Sequence, residues 1–377
     1  MDTLKVIVLG TTHHNTLGVI RALGESGKHL RCTLLLYGEE DSYLTQSKYV
    51  SRTIFVAKAE DIAKTLLENV SEGKQVVIAV TDEAVHQLDL NADSLKPYFH
   101  FFSTLKPGVL TTYMDKGMQD VLAEKVGLDV PRDYTNEKIE YPCILKPLAS
   151  ISGGKRVLIC HNIDEYNQQI SHYPKTQFQI QQFIEKEQEI VLVGMSLGGV
   201  VYVPAFVEKH REICGGTTYS TVHEITELDD SVVERSQRLI KEIGYEGLFG
   251  IELILSKGKY FFIEVNLRTD ATCYAVAVAG VNLPLAYVNA KYGEDVSLLL
   301  NRPIHKIDSI VEFRDFEFVI KRKISLLKWT KQRNNCKCRY FYNPLDIKPY
   351  QINRKILRER LLKAALEKIL QLFRIKR

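Results

Sequence analysis

Two glutamates twelve positions apart, Glu252 and Glu264, interrupt apolar runs where a buried strand ordinarily carries aliphatic side chains. The runs flank Ser256-Lys-Gly-Lys259, the pattern of a β-hairpin closed at a glycine turn. If Lys257 to Lys259 form a three-residue loop, the two carboxylates stand opposite each other and share a face. A two-residue loop sends them to opposite faces. Asn266 lies two residues beyond Glu264 and Arg268 two further, on the same face where the strand continues. Two carboxylates and an amide oxygen brought together repel unless something positive lies between them. A hard divalent cation that keeps sites for phosphate oxygens, Mg²⁺ or Mn²⁺, suits that ligand set. Taken alone, the stretch equally fits an exposed hairpin whose glutamates face water.

Other segments carry isolated chemical groups. Tyr141-Pro-Cys-Ile-Leu-Lys-Pro147 is a predicted strand with one lysine, Lys146, among apolar neighbours, and a Gly/Ser loop containing Ser152, Gly153 and Gly154 follows it. Such a loop bends backbone N–H groups around phosphate oxygens, with the lysine as point charge. It is no Walker loop, because GxxxxGK[ST] is absent and a strand follows; an ordinary hairpin turn fits it as well. Gln177 to Phe183, continuing into Ile184 and a charged connector, can offer backbone groups to an adenine edge and Glu189 to a ribose, or be a plain charged loop. His13, His14 and Asn15 stand at the carboxyl end of the first strand, where open α/β sheets bind ligands. A dinucleotide site there, with Glu39 or Glu40 on the ribose, is disfavoured because the loop lacks GxGxxG spacing.

The elements that must position these groups follow from periodicity. Strands at Lys5–Leu9, Leu30–Tyr37, Thr53–Val56 and Gln75–Val80, with helices at Leu17–Leu23 and Ala59–Asn69, predict a small parallel α/β layer. Lys106-Pro-Gly108 marks a boundary, and helices are expected at Asp115–Val126 and Ser231–Gly244. The predicted domains are 1–108, a parallel α/β unit; 109–303, which holds the candidate site; and 304–377, a basic helical extension. The extension accounts for the charge asymmetry: from Arg302 on there are 21 Lys/Arg against 7 Asp/Glu, on an otherwise acidic chain whose total is +4. No signal-peptide pattern opens the sequence and no run approaches 18 apolar residues. Seven cysteines, odd in number and scattered, suit reduced thiols in a cytoplasm. Cys336-Lys-Cys338 has no second ligand pair at zinc spacing.

The order and spacing of these pieces resemble the ATP-grasp superfamily, over about residues 1–300. The resemblance implies two α+β lobes holding ATP between them, after an N-terminal parallel α/β domain. It assigns Mg²⁺ to Glu252, Glu264 and Asn266, and phosphate contacts to Lys116 and Lys146. Ser152, Gly153 and Gly154 become a flexible lid. Gln182, Phe183 and Ile184 become the adenine hinge, and Glu189 the ribose acid. Arg268 becomes the arginine facing the reacting phosphoryl or carboxylate group, with Arg211 and Lys209 as cationic phosphate or substrate contacts. The start of the chain, Ser47-Lys-Tyr-Val-Ser-Arg52 and the tail around Trp329 and Asn343-Pro-Leu-Asp346 look like carboxylate–amine ligases of the D-aspartate-ligase-like group, which serve cell-wall and surface-polysaccharide pathways.

The implied activity is ATP-dependent C–N bond formation: a carboxylate becomes an acyl phosphate, and an amine then displaces phosphate. Lys146, Arg211 and Arg268 are the expected catalytic cations, and the partners are a small carboxylate and a small amine. His13, His14, Arg21 and Thr217 are candidates to contact either one. The alternative is a nucleotide-binding regulatory or scaffold protein of the same fold. No nucleic-acid reader module accompanies the basic tail. Its predicted helix, Arg354–Phe373, suits docking on the body, packing in a homodimer, or peripheral contact with the inner face of the membrane.

Overall fold

In the computed structural model, which describes residues 4–27, 30–40, 42–147, 157–172, 178–359 and 362, three sheets carry the chain. The first comprises β1 (Leu4–Gly10), β2 (Leu30–Tyr37), β3 (Val50–Val56), β4 (Gln75–Ala79) and β5 (Phe99–His100), all parallel in the order β3-β2-β1-β4-β5. The central strands are nearly continuous Val, Ile and Leu, as strands covered on both faces require. The fifth strand is two residues long, too short for a periodicity signal. Past Gly10 the chain turns into the His14–Gly24 helix, capped by His13, whose Nδ1 accepts from the Asn15 N–H at 3.2 Å.

After β6 (Ser103–Thr104) comes a small antiparallel lobe of β7 (Cys143–Pro147), β8 (Leu158–Cys160) and β9 (Phe178–Gln182) in the order β8-β7-β9. This lobe has its own core, including Tyr134, Leu145, Tyr166 and Ile180. The large sheet holds β10 (Gln188–Leu197), β11 (Val200–Ile213), β12 (Gly216–Glu224), β13 (Tyr245–Ser256), β14 (Lys259–Asn266), β15 (Ile307–Ile310) and β16 (Cys338–Arg339). Its order is β14-β13-β10-β11-β12-β15-β16, with β6 paired to β13. One apolar core joins this sheet to the parallel one.

The tail differs from the helical extension expected of residues 304–377. β15 pairs antiparallel with β12, and β16 parallel with β15, so this segment completes the large sheet. Arg21 fastens the segment beyond β16. Fully buried, its guanidinium donates to Asp346 Oδ2 at 3.0 Å and to the carbonyls of Tyr340, Phe341 and Asp346 at 2.7–3.0 Å. Asp346 accepts in addition from Ser47 Oγ and the Lys48 N–H. Arg21, fully buried with four of its five N–H groups spent here, is not available to a substrate, and three sequence motifs that look unrelated in the chain meet at one buried ion pair. Cys336 and Cys338 are buried thiols in apolar cores, raised by that burial. Residues 348–359 are helical; residues 360, 361 and 363–377, which include most of the predicted Arg354–Phe373 helix, lie outside the described residues. Among the described residues no single helix is long and apolar enough to cross a membrane.

Candidate active site

The hairpin brings the two glutamates together by a route the sequence did not suggest. Ser256 pairs with Lys259 across a two-residue turn in which Lys257 (φ 49°) and Gly258 (φ 75°) are both left-handed. Carried on unbroken, that register would set Ile263 opposite Glu252. Instead the ladder slips by one between Leu253↔Phe262 and Glu252↔Glu264. A β-bulge at Ile263 thus supplies the residue that a three-residue loop was expected to supply, and the carboxylates face each other on one side. From there Ile251↔Val265 and Gly250↔Asn266 keep the new register.

The Lys116–Lys125 helix is pinned to β14 between the metal-type residues. Gln119 Nε2 donates to the Val265 carbonyl at 3.0 Å, and its Oε1 accepts from the Val265 N–H at 2.9 Å. Asp115 caps the helix by accepting from the Met118 N–H. Lys116, the first helical residue, is thereby delivered to Glu264, with Nζ–Oε2 at 2.6 Å. One turn on, Asp120 accepts from Gln179 and Gln181 of the small lobe at 2.9 and 2.7 Å. Lys146 is buried on the strand paired with theirs. Burial pulls Lys146 below the usual lysine range although Asp120 works the other way, and among the described residues its ammonium has no hydrogen-bond or ion-pair partner.

Glu252 is held by Lys209. Only 3% exposed at its side chain, Lys209 places Nζ 2.8 Å from Glu252 and 2.7 Å from Glu189, with Glu212 at 3.5 Å. Burial works against this ammonium, but the three carboxylates outweigh it and hold its pKa well above the ordinary value. Glu252 is pushed up to about 7, chiefly by burial, with Glu264 and Glu189 adding to the rise against Lys209. Burial acts the same way on Glu264, yet Lys116, with Lys209 and Arg268, keeps it below the usual range. Asn266 donates weakly to Glu252 Oε1 (3.4 Å) and accepts from Arg268 Nη2 (2.9 Å), while Arg268 Nε pairs with Asp82 on the parallel domain (3.0 Å).

Two carboxylates and an amide oxygen on one face fit a hard cation with open positions for water and phosphate oxygens. The ammonium groups of Lys116 and Lys209 stand at those same carboxylates, which shows that the face is built to balance positive charge. At the hinge, Gln182 N–H donates to the Arg132 carbonyl and Phe183 N–H to that of Pro142. Ile184, in irregular backbone, has no backbone partner among the described residues, so its N–H and C=O are open to an adenine-type edge. Glu189 is bound by Lys209 and Lys186, which outweigh burial and lower its pKa. The Ser152, Gly153 and Gly154 expected to form a lid lie outside the described residues.

Arg211 is a correction. Its guanidinium makes two parallel bonds to Asp315 (2.9 and 2.8 Å), a third to Gln332 (2.9 Å), and stacks on Tyr219 at 4.1 Å. Asp315 is fully buried and also accepts from Thr218 and the Trp329 indole. Arg211 is thereby engaged in holding the tail. Lys209, two residues earlier, has the central position instead. Nothing in a local pattern separates these two residues, because Glu252 and Asp315, the acids that tell them apart, lie over forty positions away.

Residues 116–272 match the family model described as the ATP-grasp domain. The formate-dependent phosphoribosylglycinamide formyltransferase of Wolinella succinogenes is 24% identical over 296 residues, covering 72% of this chain and 71% of that protein. Further relatives of that description, from Tolumonas auensis and Pseudomonas putida, match over 43–44% of their length. Among solved structures, the L-amino acid ligase of Bacillus licheniformis superimposes with a TM-score of 0.62 at 17% identity, covering 82% of this chain and 80% of that one. The N5-carboxyaminoimidazole synthetase of Staphylococcus aureus, complexed with ADP, gives 0.64 at 14% identity, covering 86% and 87%.

Proposed function

We propose that this chain, which has the ATP-grasp fold, is an ATP-dependent ligase that activates a carboxylate by phosphorylation and couples it to an amine. The observation that carries the reading is the facing pair Glu252 and Glu264, flanked by Lys116, Lys209 and Arg268. Glu252, Glu264 and Asn266 would hold Mg²⁺ or Mn²⁺, which when bound neutralises charge on the transferred phosphoryl group. Lys116 and Lys146 are the phosphate-binding cations of this reading. The unpaired Ile184 backbone, with Gln182 and Phe183 beside it, receives adenine, and Glu189 the ribose. Arg268, held between Asn266 and Asp82, faces the reacting group. The carboxylate oxygen attacks the γ-phosphorus and ADP leaves; the amine nitrogen then attacks the acyl carbon, phosphate leaves, and the nitrogen gives up a proton.

Alignment and charge neutralisation are the protein's share of this chemistry, so no covalent nucleophile on the chain is needed. Without nucleotide, Lys116 and Lys209 stabilise the buried carboxylates. The finer placement is with D-aspartate-ligase-like enzymes of cell-wall or surface-polysaccharide metabolism; Arg21, Ser47-Lys48 and Asp346, which belong to the motifs of that resemblance, meet at one buried node. The test is ADP and phosphate release from Mg²⁺-ATP over carboxylates and amines, singly and in pairs. Release that depends on both partners, with a product equal to their sum less water, supports the ligase. Nucleotide binding without release for any pair, even with cell extract as substrate source, favours the regulatory alternative.

A further inference from the structure

The small lobe and the body of the molecule have separate cores. Tyr134, Leu145, Tyr166 and Ile180 pack within the lobe, whereas Leu122, Ala123 and Val126, on and just past the Lys116–Lys125 helix, belong to the main core. Backbone bonds hold the lobe where the chain enters and leaves it, from the Phe262 N–H to the Asp129 carbonyl (2.8 Å) and from the Glu187 N–H to the Leu255 carbonyl (3.0 Å). Among the described residues, the side-chain hydrogen bonds that run from β7, β8 and β9 to an element outside the lobe are two, and both end on Asp120. A single oxygen, Oδ2, accepts from Gln179 Nε2 at 2.9 Å and from Gln181 Nε2 at 2.7 Å. Gln179 Nε2 also reaches Asp133 at 3.2 Å. The tie is kept at a cost, because Gln181 Oε1 is left buried with no partner among the described residues.

The ladder carries this tie to Lys146. Gln179 stands directly opposite Lys146 in the β7–β9 register, and Gln181, two residues on, shares its face. Directly opposite side chains point to one face with Cβ atoms about 5 Å apart, so the residue beside Lys146 across the ladder is the one that Asp120 holds. All three of these lobe residues are buried. Of the charges that bear on Lys146, that of Asp120 is the strongest, and it favours the ammonium against burial. The same stretch of helix places Lys116 on Glu264 and Gln119 on Val265. Five consecutive residues thus join the acid hairpin, one lysine and the strand pair that carries the other.

We propose that Asp120 is a positioning residue for Lys146: by holding β9 to the helix that carries Lys116, it sets the two ammonium groups, which come from different bodies of the fold, at a fixed separation for one polyphosphate-type ligand. The ligand class rests on the phosphate role given above to Lys116 and Lys146; the tie itself does not. Asp120 acts through Gln179 and the ladder and not by touching the ligand. An untied lobe would have to be ordered over the phosphates at the binding step, and affinity would fall by that ordering; a tied one is preorganised.

The experiment measures the binding of Mg²⁺-ADP and of adenosine to the full chain by calorimetry. Lys146→Met should weaken Mg²⁺-ADP about tenfold or more and leave adenosine nearly as it was. Asp120→Ala should weaken Mg²⁺-ADP about fivefold or more, again with adenosine spared. Asp120→Asn, whose one side-chain oxygen can accept the same two bonds, should recover part of that loss. In the double variant the losses should not multiply: it should bind within about twofold of Lys146→Met alone. Where Asp120→Ala does not fold, Gln179→Met, which cuts the tie from the lobe side, carries the same expectations. An Asp120→Ala protein that binds Mg²⁺-ADP like the unaltered chain, that loses adenosine and ADP alike, or whose loss multiplies with that of Lys146→Met overturns the proposal. A Lys146→Met protein that binds Mg²⁺-ADP undiminished removes the phosphate role of Lys146 and the proposal with it. If the Asp120 dependence holds while no carboxylate and amine pair releases phosphate, the ligase reading falls and this one stands.

Discussion

Two buried clusters of opposite charge can be compared within this one fold. At the Arg21–Asp346 node both side chains are essentially inaccessible (0% and 1%), and four guanidinium N–H groups and both Asp346 carboxylate oxygens are bonded at 2.7–3.0 Å. At the Glu252–Glu264 face the acids keep 17% and 24% exposure, two carboxylates sit side by side, and Glu252 is forced up to about 7. The first cluster is closed and joins the tail to the parallel domain. The second is open and electrostatically mismatched, which a site must be if its protein cations are to give way to a ligand. Satisfied charge holds structure; unsatisfied charge awaits chemistry.

The largest effect that separates the two is on stability. Asp346→Ala leaves the Arg21 guanidinium buried without a counter-ion, and the expected loss is about 3–5 kcal/mol, read from denaturant unfolding. Glu264→Gln removes a charge from a partly open pair, and its cost in the absence of nucleotide should be well below that. Its effect belongs to turnover instead, a fall of about 10²–10³-fold or more. A Glu264→Gln protein that keeps its turnover, or an Asp346→Ala protein as stable as its parent, breaks the comparison.

The pH dependence sharpens it. The native Glu252 carboxyl sits at about 7 against 4.5 ordinarily, so between those values the folded state binds the extra proton and stability falls as pH rises. Glu264 and Glu189, both lowered, work in the opposite sense, and their contribution is lost as pH falls below about 4.5. Unfolding at pH 5 and pH 7.5 should therefore show a decline on the order of 1–3 kcal/mol that Glu252→Gln largely removes. A decline unchanged in Glu252→Gln would place its source elsewhere.

How much of this was legible in the sequence depends on the range of the interactions. The parallel strands were readable because buried strands are locally apolar, and Leu30–Tyr37 appears with the limits the pattern gives. The acid pair was readable because glutamates in apolar runs are unusual. The partners of a charge were not. Arg21, Arg211 and Arg314 look alike in the chain, yet the first two are locked to Asp346 and Asp315 and the third, among the described residues, donates only to the Ile213 carbonyl. The tail was read as an extension because β15 and β16 are four and two residues long and gain their meaning only beside β12. The bulge at Ile263 has no local signal.

That bulge carries the smallest of the expected effects. If register at the open face is set there and not at the turn, the turn can be weakened without disturbing the acids. Gly258 sits at φ 75°, and Gly258→Ala should cost about 1 kcal/mol by forcing a Cβ into left-handed backbone. Lys257, already non-glycine at φ 49°, should gain up to about 1 kcal/mol on Lys257→Gly, or less where the added freedom of the unfolded chain offsets it. Neither change should alter the KM for Mg²⁺-ATP, because the ladder between the turn and Leu253↔Phe262 is regular and the slip lies beyond it. A change in that KM of about tenfold, 1.4 kcal/mol in binding terms, would mean that turn and bulge set the register jointly, and that the open face depends on the hairpin's far end as well as on the helix that Gln119 pins to it.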